Sequence, residues 1–444
     1  MSHALLQAWE KTLRRRGGDR AVVQAVDRVT VTFRELDERS SAWLRVHVPE
    51  PARLTGRAMV FAAANGIGWL EIFLGLLKAG AVVVPLDPAE PPEAQRRLAA
   101  ALRAAGWWDG TKLVTFPETR RYRDPSICLI KLTSGTTGRP RALVFTAGQM
   151  LADGRQVTST MGIGPRDLNY ATIPLGHSYG LGNLTLPLIA QGVPLVCGTA
   201  PLPHAIAADF LRWRPTVFPS VPAVWRALAA SNVALKSLRL GISAGAPLPP
   251  EVARDFAARF GRRLHSFYGS SETGGIAYDA TGAATLKGGV GRALHGVKLA
   301  VRPRHPLQVS SAAVLTHGNR RRVGRRGAWV MPDLVSKDAR GQLTLLGRRG
   351  NAVKIAGRRV NLAEVAARLR SRRGVRDVWV GVKAGPEPVL VAVVATARRA
   401  EDLRADLFTD TAGWKVPKKL VVVPALPVTA RGKADLRALQ ALTA

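Results

Sequence analysis

The segment Thr133-Ser134-Gly135-Thr136-Thr137-Gly138-Arg139-Pro140-Arg141 concentrates residue types that can hold a polyphosphate. Glycines let a backbone approach a ligand closely and adopt positive φ angles. Successive backbone N–H groups in such a turn form an anion-binding concavity. Ser134, Thr136 and Thr137 add hydroxyl donors, and Arg139 and Arg141 add positive charge. The segment is not the G-x-x-x-x-G-K-[ST] loop, because no Lys-Ser/Thr pair follows the second glycine. An ordinary Ser/Thr/Gly turn has the same composition, so the segment alone leaves both readings open.

A cradle of this kind must be held by regular structure on either side. Residues 129–132 read as a strand entering the loop. Residues 58–61 and 81–84 also read as strands, with helical patterns at 69–78 and 93–105. The rhythm recurs from 215 to 267, with helices at 222–230 and 250–260 and strands at 238–242 and 264–267. Such alternation predicts an α/β fold of layered subdomains with largely parallel sheets. Residues 285–346 look richer in strand. The spacing places a boundary near 347–351, which gives a large N-terminal domain over 1–348 and a small C-terminal α+β domain over 349–444. In the latter, strands are expected at 353–355, 375–382 and 389–395, and helices at 363–370 and 400–408.

Composition narrows the classes. A chain of 444 residues, 47% hydrophobic, is long enough for two or three packed cores and does not read as disordered. Its 65 basic and 31 acidic residues give a net charge of +34. Such a field attracts nucleotides, acidic proteins or nucleic acid, but the basic residues are spread along the chain. The densest cluster, Arg320, Arg321, Arg322, Arg325 and Arg326, has no aromatic interleaving and is weak as a nucleic-acid site. Cys128 and Cys197 form no disulfide framework or metal spacing; they read as core thiols and fit a reducing cytoplasm. The N-terminus reads as a short helix ending at Arg14-Arg15-Arg16, with no secretory signal expected. The apolar stretch 59–86 is interrupted by Asn65, Glu71 and Lys78, and reads as strand–helix–strand rather than a membrane span.

Further segments follow the loop in a fixed order. They are Tyr268-Gly269-Ser270-Ser271-Glu272-Thr273, then Gly347-Arg348, then residues 354–364, and finally Thr429-Ala430-Arg431-Gly432-Lys433. Upstream lie Thr32-Phe33-Arg34-Glu35-Leu36, Leu77-Lys78-Ala79-Gly80 and Pro85-Leu86-Asp87-Pro88. Together these resemble the adenylate-forming superfamily of AMP-binding enzymes over nearly the whole chain. That family includes acyl- and aryl-CoA synthetases, peptide-synthetase adenylation domains and firefly luciferase.

The resemblance implies a role for each matching position. Thr133, Ser134, Gly135, Thr136, Thr137 and Gly138 would hold the β- and γ-phosphates of ATP, with Arg141 supplying charge. Gly245, Ala246 and Pro247 would line the adenine, and Tyr268 would pack on it. Ser271 would contact the α-phosphate or the acyl carboxylate, and Glu272 would hold Mg²⁺. Asp333 and Arg348 would reach the ribose. Lys433 would bridge the attacking carboxylate and the α-phosphate. Ala356, Gly357 and Arg358 would line the path of the incoming thiol. The family usually carries Asp or Lys two residues after the Gly-Arg arginine; here Gly350 stands there, and because glycine absorbs a large backbone change at little cost it is expected to be the hinge of a mobile C-terminal domain. Outside this pattern, Glu272 reads equally as a helix-start carboxylate, Asp333 as a turn residue after Pro332, and Lys433 as part of an exposed turn.

Three further sites depart from the family pattern. Arg141 stands for the usual lysine, Ser271 for the more common threonine, and Met331-Pro332 for the usual Thr-Gly. The segment Ile173-Pro174-Leu175-Gly176-His177-Ser178-Tyr179-Gly180 resembles the motif at the acyl pocket, and no acidic residue lies between Ile173 and Leu188. An α-ammonium would lack its counter-charge there, so a non-amino carboxylic acid is expected. His177 either gates this pocket or packs against a ring. Gly180 belongs to the same motif, and Ser243, Gly245, Gly274 and Gly275 are expected to leave space for an aryl or medium acyl chain. The acceptor would be coenzyme A or the phosphopantetheine arm of an acidic acyl carrier protein. An inactive nucleotide-binding scaffold and a basic nucleic-acid-binding protein are the alternatives of other classes; retention of Glu272, Asp333 and Lys433 argues against the first.

Overall fold

The structure, a computed structural model, describes residues 3–133, 141–303, 305–316, 328–348, 352–355, 358–383, 388–409, 411, 413–429 and 434–443. The chain divides into two units. One comprises residues 1–300, 308–330 and 337–344; the other comprises 301–307, 331–336 and 345–444.

Two sheets organise the first unit. Among the described residues, one has six strands, and its centre is built from Ala58–Ala62, Val82–Leu86 and Ile127–Thr133. The first two pair in parallel with Ala58 opposite Val82, and Val82–Leu86 pairs in parallel with Ile127–Thr133. Val82–Leu86 is buried along its whole length, the pattern of a strand covered on both faces. The other sheet has nine strands among the described residues. Arg20–Gln24, Leu195–Cys197, Asn169–Ala171, Val217–Ser220, Leu240–Ser243 and Leu264–Ser270 form its parallel run. Among the described residues, antiparallel pairs occur only at the margins of both sheets. The α/β expectation therefore holds. Phe218, Trp225 and Phe256 pack in the core beneath the larger sheet, and Cys128 and Cys197 are both buried and unbridged.

The apolar stretch after Met59 is a strand, the helix Ile67–Lys78 and a second strand. Among the described residues, no helix is long and apolar enough to cross a membrane. One helix is shorter than expected: Pro92–Ala101 stops before Ala105. Arg103 takes a left-handed conformation at φ 51° and turns the chain into the strand Gly106–Trp108. There Trp107 is buried and donates its Nε1–H to Gln95 at 3.0 Å. Burying two tryptophans outweighs the modest helix propensity of an alanine-rich pattern.

In the second unit, Val375–Lys383 pairs antiparallel with Val389–Thr396, which pairs in parallel with Lys419–Val423. The helices Leu362–Arg370 and Ala400–Phe408 pack Val365, Leu369, Leu403 and Leu407 on that sheet. Lys415 donates to Glu364 at 2.9 Å within this unit.

Candidate active site

The strand Ile127–Thr133 leads into the Ser/Thr/Gly segment, and Arg141–Thr146 leads out of it antiparallel, with Thr133 opposite Arg141. Residues 134–140 lie outside the described residues, so Ser134, Gly135, Thr136, Thr137 and Gly138 are not placed. Arg141 is: its guanidinium lies over the Trp329 ring, 5.8 Å from the centroid, and its Nη2 is buried with no hydrogen-bond partner. An unpaired buried guanidinium nitrogen at the foot of the segment is a donor in search of an anion.

The outgoing strand runs straight into the helix Ala147–Met161. Thr146 caps it by accepting from the Gln149 N–H, while Gln149 accepts from the Thr146 N–H in return. The amide of Gln149 also donates to Val314 O at 2.7 Å and to Thr316 Oγ1 at 3.0 Å. That fixes the neighbouring backbone, where Leu315 N–H donates to Glu272 O at 2.8 Å. Four residues along the helix from Gln149, Asp153 accepts from Gly275 N–H at 2.9 Å. One helix thus holds the Glu272–Gly275 turn from both ends.

The turn itself begins at the end of the strand Leu264–Ser270. Ser270 and Thr273 share a hydrogen bond between hydroxyls at 3.0 Å. Ser178 donates its hydroxyl to Ser271 at 2.9 Å, which joins the turn to the segment 173–180. Asn65 grips that segment in turn, donating to Ile173 O and accepting from Leu175 N–H. Ser271 and Glu272 are half-buried. Glu272 belongs to the charged neighbourhood of Lys131, two residues before Thr133. The structure therefore brings together Thr133, Arg141, Ser271 and Glu272 with residues 173–180.

The remaining positions are distributed as follows. Gly245, Ala246 and Pro247 are exposed just beyond the strand Leu240–Ser243, and Gly245 takes φ 88°. Ser243 is 2% exposed and its Oγ has no partner. Tyr268 is half-buried, and His177 is exposed at the head of a short helix, Ser178–Gly180. Tyr179 donates to Ile242 O at 3.2 Å, next to Ser243. Asp333 is 6% exposed and lies in the second unit, at the start of the strand Asp333–Lys337. Arg348 and Arg358 sit on the strands Leu343–Arg348 and Arg358–Asn361. Lys433, Gly350, Ala356 and Gly357 lie outside the described residues.

One expectation changes with the geometry. Gly274 and Gly275 do not leave empty space. A Cβ on Gly274 would lie 2.3 Å from Asp153 Oδ1, and one on Gly275 would lie 2.7 Å from Leu294 Cδ2. Likewise, a Cβ on Gly180 would lie 2.0 Å from Pro174 O. These glycines permit close packing of the walls. Gly245 differs: its nearest neighbour would be Val221 Cγ1 at 3.6 Å.

Sequence reasoning passed over Lys131 and Asp153. Both are almost fully buried, at 4% and 3% exposure. A lysine in a strand pattern and an aspartate on a buried helical face were signals that could have singled them out. Among the described residues, no three potential metal ligands cluster. Glu272 offers one half-buried carboxylate, a donor set that fits Mg²⁺ held chiefly through nucleotide phosphates.

Residues 102–308 match the family model described as AMP-binding enzyme. A curated protein of Salinispora arenicola, named as a nonribosomal peptide synthetase (CymA), is 31% identical across 95% of this chain and 6% of that protein. The 2-hydroxy-7-methoxy-5-methyl-1-naphthoate–CoA ligase of Streptomyces carzinostaticus is 27% identical across 72% of this chain and 63% of its own. The chain thus spans less than two thirds of the length of either relative. ATP-bound MatB from Rhodopseudomonas palustris superposes with a TM-score of 0.84 at 19% identity, over 97% of each chain. The family-model match and these relatives support the adenylate-forming superfamily.

Proposed function

We propose that this protein activates a non-amino carboxylic acid as its acyl-adenylate and then passes the acyl group to the thiol of coenzyme A. The observation that carries this reading is the convergence at the loop's base. Glu272 stands in the charged neighbourhood of the strand entering the loop, and the helix that follows the loop holds the Glu272 turn. A carboxylate and a polyphosphate cradle are what attack at the α-phosphorus of ATP requires.

In the first half-reaction the acid's carboxylate oxygen attacks the α-phosphorus, and the bond to the pyrophosphate oxygen breaks. No protein base is needed, because the nucleophile is already ionised. The chain's task is to bring two anions together. Lys433 neutralises charge between the carboxylate and the α-phosphate, Ser271 donates its hydroxyl there, and the loop with Arg141 receives the leaving pyrophosphate. Glu272 would hold Mg²⁺, which would supply further charge neutralisation at the phosphates. Gly245, Ala246, Pro247 and Tyr268 frame the adenine, and Asp333 and Arg348 take the ribose.

Residues 173–188 supply no carboxylate for an α-ammonium. The nearby Asp153 already has Lys131 as its charged neighbour, which supports a non-amino acid. The naphthoate ligase among the relatives supports an aromatic one. Ser243, with an unpartnered buried hydroxyl, supports a substrate with a polar group beside the ring. The synthetase CymA keeps the carrier-bound phosphopantetheine arm as the second acceptor.

ATP–pyrophosphate exchange over a panel of aryl, acyl and amino acids tests the reading. Exchange with aryl or acyl acids is expected. Exchange with amino acids alone would overturn the substrate class, and exchange with none, together with DNA retardation at physiological salt, would overturn the activity. Gly350→Pro tests the hinge assigned from the sequence: it should spare acyl-adenylate formation and block thioester formation. Equal retention of both half-reactions would remove Gly350 from that role.

A further inference from the structure

Lys131 and Asp153 are buried ionisable groups to which the adenylation mechanism assigns no task. Each is the other's leading charged neighbour. Burial pushes the lysine pKa down and the aspartate pKa up; each partner opposes the shift of the other, and Glu272 adds to the pull on Lys131. Geometry favours the charged forms. Lys131 Nζ stands 4.3 Å from the centroid of the Phe145 ring, a site that suits a cation. Asp153 Oδ1 accepts the Gly275 N–H at 2.9 Å, a bond that suits a carboxylate. The carboxylate is wedged where Gly274 lacks a Cβ and close to Gly182, whose Cβ would meet Asp153 Oδ2 at 3.2 Å. Isolated buried charges are costly, so two retained within each other's field call for an account.

We infer that Lys131 and Asp153 are positioning residues for Glu272: Asp153 anchors the turn through Gly275, and the opposed charges set the potential at the Glu272 carboxylate. The inference rests on the reading of Glu272 as the carboxylate that serves Mg·ATP. In the balanced pair, the ammonium whose field reaches Glu272 is offset by Asp153, so the carboxylate keeps its full pull on a divalent cation. Removing either partner unbalances the site, in opposite directions.

The test is the gain in ATP affinity that Mg²⁺ confers, measured by calorimetry on the full chain without acid, as the ratio of Kd in EDTA to Kd in saturating Mg²⁺. Asp153→Asn keeps an acceptor for Gly275 and removes the negative charge; the ratio should fall about fivefold, the scale of a charge change across a partly screened site. Lys131→Met should raise the ratio by about the same factor, and the double variant should return it to the wild-type value. A purely structural role would lower the melting temperature without opposite shifts. Shifts of one sign in both single variants, or none in either, overturn the inference. Where Lys131→Met does not fold, Asp153→Asn decides alone, and an unchanged ratio overturns it. Glu272→Gln run in parallel separates the two levels. If it leaves the ratio intact, the reading of Glu272 fails. If it abolishes the gain while Asp153→Asn and Lys131→Met do not move it, only the role of the pair fails.

Discussion

Lys433→Ala should lower acid-dependent ATP–pyrophosphate exchange by about 10²- to 10³-fold, the scale for removing one preorganised electrostatic contact. The reasoning starts from the two anions that must meet. A carboxylate and an α-phosphate repel until a cation stands between them, and a lysine aimed there is worth most when charge is being redistributed. The loss should therefore appear in the rate at saturating ATP and acid, with the affinity for ATP changed far less. Thioester formation from supplied acyl-adenylate should be spared, because the α-phosphate is then a leaving group whose bond is already made. Near-normal exchange in the variant would remove Lys433 from the reaction. A loss confined to KM would make it a binding residue for the acid instead.

The positions proposed to reach the substrate could be picked out because their chemistry is local. A Ser/Thr/Gly run, a carboxylate after a strand and a lysine in a Thr-x-x-Gly-Lys turn carry their meaning in neighbouring residues. The α/β layering was legible for the same reason: Val82–Leu86 is a continuous apolar run, and Pro250–Phe260 has a helical apolar face. Long-range arrangements were not. Lys131 and Asp153 are 22 residues apart in the sequence, and nothing local marks either as the partner of the other. Gln149 reaches Val314 across 165 residues, which only the folded chain reveals. Gly274 shows the same limit from the other side. Its glycine reads as open space until the carboxylate that fills that space is seen. The helix that stops at Ala101 misled for an energetic reason: helix propensity is worth tenths of a kcal/mol per residue, and tertiary burial of aromatic rings overrides it.

Gly274→Ala should destabilise the protein by roughly 2 to 5 kcal/mol, combining a left-handed backbone with overpacking. Gly274 has φ 70°, where a residue with a Cβ loses about 1 to 2 kcal/mol. The new methyl would start 2.3 Å from Asp153 Oδ1 and 2.6 Å from its Cγ, distances no side chain tolerates. Asp153 cannot swing away freely, because its other contacts are Gly182 and the Gly275 N–H. Moving it breaks the anchor of the turn and withdraws the carboxylate that balances Lys131. The urea midpoint should fall, and ATP-dependent protection against thermal unfolding should shrink together with it. Pairing Gly274→Ala with Asp153→Ser removes the clash, but it keeps the strained backbone and takes away the anchor of Gly275 and the counter-charge of Lys131, so it should recover less than the overpacking part of the loss. A Gly274→Ala variant with the wild-type urea midpoint would show that the turn does not hold Asp153 against Gly274. The packing that ties Glu272 to the helix Ala147–Met161 would then have to rest on Gln149 and Leu315 alone.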